Sequence, residues 1–142
     1  MLTDKQFFNI ANEIALSGTC SRLKVAALIV PDNRIASSGY NGTARGLPHC
    51  HHYDNKPCHK SVHAEANAIV FAARYGIKTL DSTMYCTHAP CDSCAGLIIN
   101  AGIAEVKYLN SYRNDNGLYS LSTAGVKVSQ HDDGKEFYPM LL

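Results

Sequence analysis

Net charge is what this 142-residue chain has least of. Thirteen Lys and Arg oppose twelve Asp and Glu, for a formal charge of +1, and charged residues make up 18%. A protein that grips a long nucleic acid neutralises many phosphates and usually presents a basic face, so a polynucleotide partner is not expected. No apolar run approaches the ~20 residues that span a bilayer, so no membrane partner is expected either. The N-terminus lacks a basic segment followed by a hydrophobic stretch, which argues against a secretion signal. Six cysteines without such a signal point to a reducing, cytoplasmic setting, where thiols serve as ligands or packing. No Walker-type loop, internal repeat or low-complexity segment is present. What remains is one domain over 1–142, long enough to bury its own core, acting on a small molecule.

Periodicity supplies the elements. Thr3 with Gln6 forms a capping box ahead of Phe7, Ile10, Ala11, Ile14 and Ala15, with Gly18 as the stop. A β-rich run from Lys24 to Val30 turns at Pro31-Asp32-Asn33 and returns over Arg34 to Tyr40. Residues 42–61 form a long polar loop, and loops of that length in a compact domain usually have a function. A second helix is expected over Val62 to Tyr75, terminated by Gly76, and a third between Pro90 and Gly102. Strands at Ser82 to Thr87, Glu105 to Leu109 and Val126 to Ser129, with a short helix over Leu118 to Ala124, complete the order. That order implies a three-layer α-β-α fold around a mixed five-stranded sheet.

Two segments carry chemistry: V-H-A-E-A-N-A-I-V from Val62 and T-H-A-P-C-D-S-C-A-G from Thr87. His63, Cys91 and Cys94 offer one imidazole and two thiolates, three zinc ligands that leave a fourth position open for water. A lone C-x-x-C is weak, being shared by redox motifs and zinc ribbons; joined to H-x-E in this order it is far more specific. Residues i and i+2 lie about 200° apart on a helix, so His63 and Glu65 must both sit in its first turn to face one site. Two helix N-termini would then converge on one metal, an environment that favours thiolate. Glu65 is placed to move protons, as general base toward water and general acid toward the leaving group. Without that role it would be an ordinary carboxylate at a helix start.

The joint motif H-x-E then P-C-x-x-C is similar to that of zinc nucleobase deaminases. With Gly39-Tyr40-Asn41-Gly42, H-A-E-A-N-A-I and A-P-C-D-S-C-A-G-L-I-I-N-A-G-I, the chain resembles the deoxycytidylate (dCMP) deaminase family from about Phe8 to Val128. The resemblance implies a cytidine-deaminase fold. It also implies hydrolysis of dCMP to dUMP and ammonia by a zinc-bound hydroxide, feeding dTTP synthesis. His63, Cys91 and Cys94 match the family's zinc ligands, Glu65 its proton shuttle, and Asn41 a substrate contact. Tyr112 and Arg113 fall where the family closes over the nucleotide, although ordinary loop packing would explain Tyr112 equally. Many family members are hexamers activated by dCTP and inhibited by dTTP, so the resemblance implies a homohexamer with those effectors, Mg2+ accompanying the triphosphate. Gly39, Tyr40, Asn41, Gly42 and Arg74 match that regulatory element, though Arg74 also suits a solvated cation at a helix end. For the phosphate, Arg22, Lys24, Arg45, Lys60 and Arg113 are all candidates.

Cys50, His51, His52, Cys58 and His59 crowd the long loop, and Cys20 follows the first helix. Some relatives carry a second, structural zinc in this region. Cys20 and Cys50 match the positions used there, and Cys58 and His59 complete the set, with His52 as an alternative. Cys86 reads as a small buried hydrophobe. Two other functions compete: a deaminase of free cytidine or of another base, and a silent zinc protein that binds nucleotides. Glu65 and the open zinc position argue against silence, since scaffolding needs neither.

Overall fold

The computed structural model describes residues 1–51, 60–132 and the backbone of 138–139. Helix α1 (Asp4–Ala15) starts with the capping box. Gln6 N donates to Thr3 Oγ1 at 3.2 Å and Thr3 N donates to Gln6 Oε1 at 2.8 Å. The helix ends at Leu16 in ordinary right-handed geometry, so Gly18 does not act as a left-handed stop. Its smallness serves something else: a Cβ at Gly18 would stand 2.7 Å from Asn41 Oδ1.

Strands β1 (Ala26–Val30) and β2 (Ser37–Tyr40) form the expected hairpin, with Asn33 at φ 55° in the turn. Both are shorter than their β-rich runs. The long polar segment is closed at its base by two short strands, β3 (Gly42–Thr43) and β4 (Ser61–Val62), which pair antiparallel. Helix α2 (Ala64–Arg74) follows, with Gly76 at φ +66° behind it. Then come β5 (Thr83–His88), α3 (Asp92–Asn100), β6 (Glu105–Asn110), α4 (Asn116–Thr123) and β7 (Lys127–Gln130). The five strands β2-β1-β5-β6-β7 make the mixed sheet, and two-residue β8 (Tyr138–Pro139) extends its edge beyond β7. Pairing is parallel at β5-β6 and β6-β7, the two places where a helix supplies the crossover, and antiparallel elsewhere.

Alternation along the strands sorts the two faces. Leu28, Val30 and Tyr85 face Phe7, Phe8 and Ala11 of α1. Ala27, Ile29, Met84 and Cys86 belong to the opposite core, shared with Ala64, Ala68 and Ala72 of α2, Ile98 of α3 and Leu121 of α4. Alanines on α2 bring that helix close to the sheet, which matters for what stands at its start. Among the described residues, no helix is long and apolar enough to cross a membrane.

Candidate active site

The site lies at the carboxyl ends of parallel strands β5 and β6, where open α/β sheets characteristically bind ligands. Ala89 N donates to Asn110 O and Asn110 Nδ2 donates to Thr87 O, both at 2.8 Å. These bonds aim the chain leaving β5, so that Cys91 arrives as the N-cap of α3 (φ −73°, ψ 171°). His63 is the N-cap of α2 (φ −68°, ψ 151°), and neither side chain makes a capping hydrogen bond. They turn toward one another instead. His63 Nδ1 lies 3.4 Å from Cys91 Sγ and 3.4 Å from Cys94 Sγ, with all three donors within 4.8 Å of one another.

Those separations can be tested against zinc. Bonds of about 2.0 Å to nitrogen and 2.3 Å to sulfur put tetrahedral N and S ligands roughly 3.5 Å apart. The donor set fits. Among the described residues no fourth His, Cys, Asp or Glu joins the cluster, so one coordination position is left for a non-protein ligand. The Cys91 and Cys94 side chains are hydrogen-bonded to one another. Hydrogen bonding from Cys94 and His63 lowers the Cys91 thiol to about 4, whereas the same bond and burial push Cys94 up. A bound cation stabilises both thiolates.

Glu65 is the second residue of α2 and only 4% exposed. Burial raises its carboxyl above the ordinary range, opposed by hydrogen bonds from the backbone and Cys94. A buried carboxyl with a raised pKa beside a metal site is suited to taking up and giving back a proton.

Both helix starts are held by close backbone approaches that only glycine permits. A Cβ at Gly39 would collide with Ala64 O and stand 2.5 Å from Ala68 N of α2. A Cβ at Gly117 would collide with Pro90 O and stand 2.8 Å from Cys91 O. Side-chain bonds reinforce each contact: Asn67 Nδ2 to Tyr40 O at 2.8 Å, and Ser120 Oγ to Asp92 Oδ1 at 2.7 Å.

A cleft of about 340 Å³ opens over the triad. Asn41 lines it, 8% exposed, with its amide engaged: Oδ1 accepts from Val25 N at 2.8 Å and Nδ2 donates to Leu23 O at 2.6 Å. Tyr112 and Arg113 also line it, the guanidinium 5.4 Å from the Tyr112 ring centre. Of the five candidate cations the cleft takes Arg22 and Arg113. Lys24 Nζ is bonded to Gly18 O at 2.6 Å, Arg45 sits over Phe71 in a separate depression, and exposed Lys60 lies outside the cleft. Arg74 is exposed beside Tyr75, also outside. Gly42 packs against Thr19, and other atoms of the G-Y-N-G segment join β2 to α2 and to the α1–β1 connection. Cys20 and Cys50 are buried, while His52, Cys58 and His59 lie outside the described residues. Cys86 is fully buried in the core, where burial pushes its thiol up. Three polar cleft residues escaped the sequence reading, Ser61, His88 and Asn114. His88 was within reach, inside the T-H-A-P-C segment itself.

A mixed sheet that brings H-x-E and P-C-x-x-C to two converging helix starts defines a zinc-dependent nucleobase deaminase. The family model for the cytidine and deoxycytidylate deaminase zinc-binding region matches residues 1–110. The chain belongs to that family. ComE operon protein 2 of Bacillus subtilis is 37% identical over 132 residues, covering 89% of this chain and 70% of its own. Deoxycytidylate deaminase of Enterobacteria phage T2 is 31% identical over 163 residues, covering 84% of this chain and 87% of its own. Among solved structures, the dCMP deaminase of cyanophage S-TIM5, in complex with dCMP and dUMP, superposes with a TM-score of 0.85. It is 32% identical, and the match covers 89% of this chain and 95% of that one.

Proposed function

We propose that this protein hydrolyses dCMP to dUMP and ammonia. The observation that carries the reading is the three-donor site beside buried Glu65, in a cleft with two arginines for a phosphate. Similarity to a deaminase crystallised with dCMP and dUMP supports the substrate. When bound, zinc lowers the pKa of its water and supplies the nucleophile. Glu65 takes the water's proton and delivers it to N3 of the pyrimidine as the bond from oxygen to C4 forms. The same carboxyl then carries the remaining hydroxyl proton to the amino group. The C4–N bond breaks, ammonia leaves, and a C4 carbonyl remains. His63, Cys91 and Cys94 would hold the metal, in the same cleft as this carboxyl. Asn41 has a spare amide hydrogen for the sugar, and Tyr112 borders the base.

Ammonia release from dCMP, dCTP, deoxycytidine and adenosine, compared side by side, tests the reading. It requires dCMP to be preferred; preference for an unphosphorylated nucleoside or for adenosine would refute it. Arg22 and Arg113 carry the phosphate preference. Replacing either by Gln should raise KM for dCMP about tenfold, with kcat nearly unchanged and deoxycytidine unaffected. Equal penalties on both substrates in steady-state kinetics would contradict that role.

Three further features belong to this proposal. The chain acts as a homohexamer in the cytoplasm, where reducing conditions keep its thiolate ligands intact. Exposed Val70, Leu97 and Tyr119 on the outer faces of α2, α3 and α4 supply apolar contact surface. Activation by dCTP with Mg2+ and inhibition by dTTP would involve Arg74 and Tyr40, both exposed, and would turn a hyperbolic dCMP curve sigmoidal or back. A second zinc would use Cys20 and Cys50, both buried, with Cys58 and His59; two zinc ions per chain by metal analysis is its signature.

A further inference from the structure

Thr87, 1% exposed, is the last enclosed residue of β5 before the cleft. Its hydroxyl accepts Ala26 N–H from the neighbouring strand at 3.0 Å, and His88 Nδ1 lies 3.0 Å away on its other side. Enclosing a hydroxyl hydrogen without an acceptor is costly, so the Thr87 O–H donates to Nδ1. With Nδ1 accepting, a neutral imidazole carries its proton on Nε2. Burial lowers the His88 pKa, which favours the neutral ring. Among the described residues Thr87 is the ring's one hydrogen-bond partner, which leaves Nε2–H for a ligand. His88 lines the same cleft as His63, Glu65 and Cys91, three positions before Cys91 in the chain. The amino-bearing carbon of a substrate must reach the His63, Cys91 and Cys94 cluster, so the base enters this cleft, while Arg22 and Arg113 serve the phosphate.

We propose that His88 is a substrate-binding residue whose Nε2–H donates a hydrogen bond to the pyrimidine base. The sheet sets the direction of this donor in advance, through Ala26 and Thr87, so little ordering is needed when the nucleotide enters. The assignment rests on the reading of the protein as a pyrimidine nucleotide deaminase.

The test compares zinc-loaded wild type, His88→Phe and His88→Gln against dCMP. Phe keeps a ring but no donor, whereas the Gln amide nitrogen can occupy the place of Nε2. The expected result is a fall of about tenfold in kcat/KM for Phe, mostly through KM, and recovery of most of it by Gln. Zinc content and melting temperature should stay at the wild-type values, since a packing role would move those instead. In parallel, 15N-histidine NMR of the wild type, assigned by the signal missing from His88→Gln, should show bare Nδ1 and protonated Nε2, with the Nε2–H resonance shifting on addition of dUMP. A Phe variant as active as wild type, a Gln variant no better than Phe, or a proton found on Nδ1 would overturn the proposal. A wild type that releases no ammonia from dCMP refutes the nucleotide reading instead, and the tautomer measurement then stands alone.

Discussion

Glu65→Gln should retain zinc and lose turnover by about 10³ to 10⁴-fold, the range ascribed to a positioned acid–base group. The replacement has the same shape and is neutral, so it adds no buried charge to an enclosed site. The metal should remain, because Glu65 is outside the His63, Cys91 and Cys94 cluster. What disappears is the ability to lift a proton from water and carry it to the base. Metal analysis beside ammonia release reads both halves of the prediction. A Gln variant with wild-type turnover would remove Glu65 from the mechanism, and one without zinc would recast it as a structural support.

Gly117→Ala should cut kcat/KM by about 10²-fold, although residue 117 touches neither metal nor substrate. A methyl group there collides with Pro90 O and presses on the Cys91 carbonyl, and backbone on both sides leaves no flexible atom to yield. Overpacking of this kind costs about 1–3 kcal/mol, and displacing a catalytic group by ~1 Å can cost about 10²-fold in rate. The strain falls on the residue that delivers the first thiolate, so zinc affinity should drop as well. Gly96→Ala in α3 is the control, since nothing lies within 4 Å of a Cβ there; that variant should keep wild-type activity. Gly39→Ala should behave like Gly117→Ala through the start of α2. Zinc competition and steady-state kinetics decide the matter, and equal behaviour of the 96 and 117 variants would contradict the clamp.

These glycines also mark the boundary of what one sequence discloses. Gly76 and Gly102 were readable as helix terminators because their reason is local, a left-handed φ just past a helix. Gly18, Gly39 and Gly117 look the same in sequence, yet each is small because a distant piece of backbone or side chain passes close by. That is why Gly18 read as a stop, and why the closeness of Gly39 to α2 could not be seen in G-Y-N-G. The capping box at Thr3 and the metal triad were legible for the opposite reason: short spacings set their geometry. Among the cations, charge alone could not separate Arg22 and Arg113 from Lys24, because only the folded cleft brings the first two together. The pairing of β3 with β4 and the two-residue β8 carry too few residues for any periodicity to show.

The most direct measurement is anomalous diffraction at the zinc edge from crystals of the zinc-loaded protein. The result required is a peak bonded to His63 Nδ1, Cys91 Sγ and Cys94 Sγ, with water in the fourth position and the Glu65 carboxylate facing that water without touching the metal. A fourth protein ligand in that place, or Glu65 bound directly to zinc, would contradict the hydrolytic account.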